Sequence, residues 1–275
     1  MLENIMWRFL DLDKIDGFYS AAIFESIASH VGRDKAPETI LFWRVRSPVV
    51  YLGYHQCVED EVYADYCADN NIGIVRRILG GGCGFCDEYQ ILFSVIGREE
   101  GIIPRDIQDA YRKVLRGVVN ALTILGAKGE IEPSRNAVYT QGRKISGNAQ
   151  GRLDGAVLVN GSLLLDFDFE LMDKVLKNPT KNLRPVASAR EGMITLRQMG
   201  ITDIDTVKKA LKQGFENALE INSFEGELTV SEIELATVLL EKYTLNDWIY
   251  KMDNKRAMRK KRSDLQNSQG SVMIP

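Results

Sequence analysis

The chain has 275 residues, of which 45% are hydrophobic and 27% charged, with a net charge of −3. These values lie near the averages for soluble proteins and exclude a disordered chain, a collagen-like repeat and a disulfide-stapled miniprotein. The charge is unevenly spread: residues 251–275 carry +5 and residues 1–250 carry −8, so an acidic body, which argues against nucleic acid as its main substrate, precedes a basic tail.

The opening MLENIMWRFLDLDKID alternates apolar with acidic residues, unlike the basic-then-apolar start of a secretory leader. No apolar run approaches the roughly 18 residues a bilayer crossing needs. A cytoplasmic protein without membrane contact is the expectation. Residues 17–31 place Phe18, Ala22, Ile23, Ile27 and Val31 on one helical stripe. TILFWRV and VVYLGY, separated by Arg46-Ser47-Pro48, read as a strand pair. A short acidic helix spans Glu59 to Asn70, with Val62, Tyr66 and Cys67 inward. GIVRRIL is then a strand running into a glycine cluster, and ILFSVI resumes the sheet. Asp106 caps a helix that runs to Gly126, with apolar residues from Ile107 to Leu125 recurring at three and four. AVYT, RKISGNAQ and AVLVNGSLLLDF form a second batch of strands. Asp205–Glu220 and Thr229–Lys242 are helices, the latter opened by the capping box Thr229/Glu232. Helices set between two batches of strands predict an α+β domain with mixed β-sheets flanked by helices. One large domain over 1–248 is expected, followed by a basic tail over 249–275 that reads as a solvated terminus.

The four cysteines, Cys57, Cys67, Cys83 and Cys86, fall in one third of the chain. That distribution fits reduced thiols better than a secreted framework. Cys83 and Cys86 form a C-x-x-C, but no second pair accompanies them and His30 and His55 are the only histidines, so no metal site is expected.

Three stretches carry chemistry. In Arg76-Arg77-Ile78-Leu79-Gly80-Gly81-Gly82-Cys83 a strand meets three glycines. Glycine removes Cβ and lets backbone N–H groups approach an anion, with Arg76 and Arg77 as charge-assisted donors. The alternative is a glycine bulge at a sheet corner. In Gly142–Gln150, strand alternation sets Lys144 and Ser146 on one face beside Gly147. In Val159–Asp166, Asn160-Gly161-Ser162 interrupts an apolar strand, as ligand-facing positions often do.

In this order the three stretches resemble the lipoate–protein ligase family, which shares its fold with biotin–protein ligases. RRILGGGCGFCD resembles the family's RR-x-x-GGG-A-V-x-H-D, Lys144–Ala149 its K-[IV]-x-G-x-A, and Asn160–Leu164 its H-G-[ST]-[LI]-L. EKYTLNDW is similar to its closing K-Y-x-x-x-x-W. The sequence departs from the pattern at Cys83, Cys86, Ala137 and Asn160. The form resembled is the bipartite one, in which a separate chain supplies a small accessory domain.

The resemblance implies activation of lipoate or octanoate by ATP with Mg²⁺ and transfer of the acyl group from acyl-AMP to a lysine. The acceptors implied are lipoyl domains of 2-oxoacid dehydrogenases or the glycine cleavage H protein. Lys144 would be the catalytic ammonium. Arg76, Arg77, Gly80, Gly81, Gly82, Cys83, Asn136, Ser146, Ala149, Gly161 and Ser162 would bind substrate and adenylate, and Trp43, Tyr51, Phe85 and Phe93 would line the acyl tail. An ATP-independent octanoyltransferase or amidotransferase of the same fold, carrying the acyl group on a cysteine, is the alternative. Its nucleophile would fall within Pro133–Thr140 or after Gly161, where this sequence has no cysteine. A non-catalytic lipoyl-binding accessory protein is the third reading.

Overall fold

A computed structural model describes residues 6–269, the side chains of 262–269 excepted. Strand β1 (Met6–Ile15) leads into helix α1 (Gly17–Gly32), then β2 (Thr39–Val45) and β3 (Val49–Leu52). The expected acidic helix is divided into α2 (Val58–Glu61) and α3 (Ala64–Asp69). The break falls at the β-branched Val62, which is extended and bridges to Leu176. Strands β4 (Gly73–Arg76), β5 (Gly84–Cys86) and β6 (Gln90–Arg98) follow. Helix α4 (Ile107–Ile124) is capped by Asp106, whose carboxylate accepts from the backbone N–H groups of Gln108 and Asp109. Strands β7 (Gly129–Glu132), β8 (Ala137–Thr140), β9 (Arg143–Leu153) and β10 (Ala156–Leu164) precede the short helices α5 (Phe169–Val175) and α6 (Ala189–Gly192). The chain closes with α7 (Ile204–Leu219), β11 (Asn222–Glu225), α8 (Val230–Thr244), α9 (Asn246–Ile249) and α10 (Lys251–Gln269).

Eight strands form one mixed sheet in the order β11-β1-β2-β6-β10-β9-β8-β7, parallel between β11, β1 and β2 and antiparallel elsewhere. A second sheet, β4-β3-β5, is also mixed. Strand alternation sorts the large sheet's side chains between two cores. Phe9, Phe42, Phe93 and Val159 share one core with Val114 and Phe215 from α4 and α7, while Leu10, Leu41, Trp43, Leu92 and Leu158 share the other with α1 and Ala236 of α8.

The Thr229 capping box is present, and its Glu232 also accepts from Arg8 at 2.5 and 2.8 Å in a fully enclosed ion pair. α8 is thereby tied to β1. The C-terminal segment is ordered by similar ties. Asp253 accepts from the N–H groups of Val58 and Glu59 at 3.0 and 3.1 Å, capping α2 from α10. The basic tail therefore begins as a docked helix where sequence reading expects a solvated terminus. No described helix is long and apolar enough to cross a membrane.

Candidate active site

A cavity of about 390 Å³ opens between the small sheet with its glycine loop on one side and β9, β10 and the 176–193 segment on the other. Of the candidate residues from the sequence, Arg77, Gly81, Gly82, Cys83, Asn136, Lys144, Ala149, Gly161 and Ser162 line it.

The loop after β4 bends because Gly81 has φ +86°, a conformation L side chains rarely adopt. Its added Cβ would lie 3.3 Å from that of Ala149, and a Cβ at Gly82 would lie 2.5 Å from the Asn182 amide nitrogen. The loop is held from inside the cavity wall. Arg77 donates from Nη2 to the carbonyls of Gly80 at 3.3 Å and Gly82 at 2.8 Å. Its Nε is buried without a partner, and no carboxylate lies within 4 Å of it among the described residues. Burial lowers the pKa of Arg77, partly opposed by the thiols Cys83 and Cys86.

Lys144 sits at a β-bulge. Tyr139 pairs with Lys144 and Val138 with Ser146, so Ile145 is the extra residue and drops into the core. The strand alternation that would set Lys144 and Ser146 on one face is overridden there. Lys144 lines the cavity, whereas Ser146 is buried outside it, donating to Asn148 Oδ1 at 3.3 Å. Burial, with help from nearby Arg135, brings the Lys144 pKa down from 10.5 to about 8.

Two other predicted binding residues are also outside the cavity lining. Gly80 is not part of it, and a Cβ there would meet nothing within 4 Å. Arg76 is fully buried and points the other way. Its guanidinium donates to the carbonyls of Gly53, Tyr54, Gln56, Trp248 and Ile249 at 2.6–3.2 Å, and Trp248 Nε1 donates back to the Arg76 carbonyl at 2.9 Å. This arginine ties the closing tryptophan segment to β4 and has no donor left for an adenylate.

For the acyl tail, Trp43, Tyr51 and Phe85 reach the cavity and Phe93 does not. Phe93 alternates to the opposite face of the sheet and packs on Phe215 at 5.0 Å, while Leu92 takes the wall position. Sequence reading passes over Phe24, Met172, Leu176 and Leu183, which complete the apolar wall, and Asn148, Asn178 and Asn182 among the polar groups. Asn148 lies inside the lysine motif, so a signal for it exists. Phe24 lies next to the predicted stripe of α1 but outside it, and the others come from segments for which the sequence shows no periodic pattern. Asn160, where the family pattern has histidine, accepts from Ser94 Oγ at 2.6 Å and lines the cavity.

Both thiols of the C-x-x-C reach the cavity wall. Burial pushes the Cys83 thiol up to about 12 against the pull of Arg77, and Cys86 is pushed higher still by burial and then Asp87. No three His, Cys, Asp or Glu side chains gather to hold a metal among the described residues.

Residues 16–216 match the family described as the lipoyl protein ligase A/B catalytic domain. The chain belongs to that family. It is 32% identical to octanoyltransferase LipM of Symbiobacterium thermophilum over 88% of this chain and 97% of that protein. With octanoyltransferase LipM of Bacillus subtilis the identity is 28% over 91% and 100%. Among solved structures, the bipartite lipoate protein ligase of Thermoplasma acidophilum, described with its E2 lipoyl domain, superposes with a TM-score of 0.79 at 30% identity, covering 90% of this chain and 97% of that one. The mixed-sheet α+β fold and the likeness to the bipartite form are thus as the sequence implies. The ATP-dependent ligase reading is corrected: the curated relatives that match along their whole length are octanoyltransferases, and the requirement for ATP, Mg²⁺ and acyl-adenylate goes with the ligase reading.

Proposed function

We propose that this enzyme is an octanoyltransferase, which moves an octanoyl group from a thioester donor to the ε-amine of a lysine on a lipoyl domain. The full-length likeness to octanoyltransferases carries this reading, and the cavity supplies what such a transfer needs. Trp43, Phe24, Leu92 and Phe85 offer an apolar tail slot, and Arg77, Lys144 and the loop amides are donors for a carbonyl oxygen as negative charge builds on it. Lys144 is held with a pKa of about 8, so near neutral pH both its ammonium and its amine are populated. The ammonium stabilises the tetrahedral oxyanion and the amine accepts a proton.

Cys83 is the thiol we assign as covalent carrier, because it lines the cavity, remains half-buried and feels the Arg77 charge. Its sulfur attacks the donor carbonyl and gives up its proton as the donor thiol leaves. The acceptor amine then displaces Cys83 from the acyl group, and the thiol regains a proton. Its pKa of about 12 means that the resting thiol is protonated. That observation favours a second reading, direct attack of the acceptor amine on the bound thioester. Intact-mass measurement after mixing with an octanoyl thioester decides. A hydroxylamine-labile adduct of one octanoyl group, absent in Cys83→Ser along with turnover, is the expected result. Full turnover by Cys83→Ser establishes direct transfer, and no transfer from any thioester overturns the octanoyltransferase assignment.

A further inference from the structure

The C-terminal helix carries charge that the fold leaves unused. Its first two turns are committed to the body: Lys251 donates to Tyr54 Oη at 2.8 Å and sits over the Tyr54 and Trp248 rings, Asp253 caps α2, and Arg256 pairs with Glu59 and Asp60 at 2.7 and 2.8 Å. Beyond these contacts Lys255, Arg259, Lys260 and Lys261 are exposed and make no ion pair with any described residue, although the rest of the chain is acidic. Lys251, Lys255 and Arg259 recur every fourth residue and so share one face of the helix.

The position of this cluster is set by α2. That four-residue helix holds Arg256 through Glu59 and Asp60, and its next residue, Glu61, lines the cavity. At about 1.5 Å of rise per helical residue, the ion pairs that anchor the basic helix lie one and two residues along α2 from this cavity-lining glutamate. Four exposed cations, none paired with a described residue, on a helix anchored through α2 are complementary to carboxylates on whatever delivers the reacting amine. Such a patch raises association rates and fixes the orientation of an acidic partner.

We infer that α10 is a docking arm for the acceptor lipoyl domain, binding an acidic surface beside its target lysine and guiding that lysine to the cavity. The inference rests on the octanoyltransferase reading for the identity of the acceptor. The acidic body favours a protein partner over nucleic acid, whose phosphates would be repelled by the net charge of −8 carried by residues 1–250.

The test compares the full chain with a variant carrying Lys255→Glu, Arg259→Glu, Lys260→Glu and Lys261→Glu, and with the corresponding glutamine variant. Calorimetric binding of a purified lipoyl domain is measured without any acyl donor, alongside octanoyl transfer from octanoyl-pantetheine. The glutamate variant is expected to keep its melting temperature, to bind the domain about tenfold or more weakly and to raise KM for the domain with kcat little changed. The glutamine variant falls between, and wild-type binding weakens between about 50 and 300 mM salt. Equal affinities in all three proteins overturn the inference, as does an absence of measurable binding by the wild type. So does retention of a DNA duplex by the wild type alone, with lipoyl-domain affinity unchanged across the variants. Charge-dependent binding without octanoyl transfer refutes the proposed reaction and leaves the docking arm standing, because binding is read without turnover.

Discussion

Arg76 and Arg77 are neighbours in sequence and opposites in use. Arg76, at the end of β4, is enclosed and donates to five backbone carbonyls, joining β4 to the loop after β3 and to the Trp248 segment. Arg77 turns to the cavity, where it clasps the glycine loop and keeps an unpartnered Nε. One guanidinium is saturated by the fold, whereas the other retains donor capacity at the site. The difference separates residues that build the enzyme from residues available to a substrate, even when both belong to one motif.

The largest effect is expected at the seam. Arg76→Ala strips partners from five buried or half-buried carbonyls and leaves Asp253, 3.6 Å away, without its enclosed cation. A loss of about 3–5 kcal/mol is expected, read from urea unfolding. Arg77→Met tests the opposite half of the comparison. It should unfold at nearly the wild-type urea midpoint while losing transfer, and a midpoint as low as that of Arg76→Ala would erase the distinction.

Lys144→Met should reduce transfer by about 10²–10³, or roughly 2.7–4 kcal/mol of barrier, if its ammonium stabilises the oxyanion. The same residue predicts a dependence of stability on pH. The unfolded chain holds the Lys144 proton up to 10.5 while the folded chain releases it near 8. The unfolded state therefore binds more protons between these values, and the contribution of Lys144 to stability rises with pH across that window. Subtracting the melting-temperature profile of Lys144→Met from that of the wild type isolates it, and a flat difference would mean that the lysine is not desolvated.

Within the glycine loop, Gly81→Val forces a β-branched residue into φ +86°, at an expected cost of about 1–3 kcal/mol and with loss of transfer. Gly80→Ala, in open space, should leave both unchanged. A small effect is also expected of Arg256→Ala, whose pairs with Glu59 and Asp60 are exposed. No more than about 1 kcal/mol of stability should change, and high salt should remove the difference.

The sequence by itself determined most of the secondary structure and the family. Periodicity located α1 and α4, and caps marked the Asp106 start of α4 and the Thr229 start of α8, because a cap and an apolar stripe are local properties of the chain. The sequence also pointed to Arg77, Gly81, Gly82, Lys144 and Gly161, which line one cavity, since the ordered motifs that carry the resemblance contain them all. Tertiary structure decided what spacing cannot encode. The bulge at Ile145 separated Ser146 from Lys144, and a sheet face separated Phe93 from Trp43 and Leu92. β1 and β11 gained strand structure as parallel neighbours far apart in sequence. The fate of Arg76 depended on carbonyls 172 and 173 residues away. Its hydrogen bonds, like the docking of α10 on α2, exist only after the chain has closed on itself: a side chain's partners are set by proximity in space, and a sequence records only proximity along the backbone.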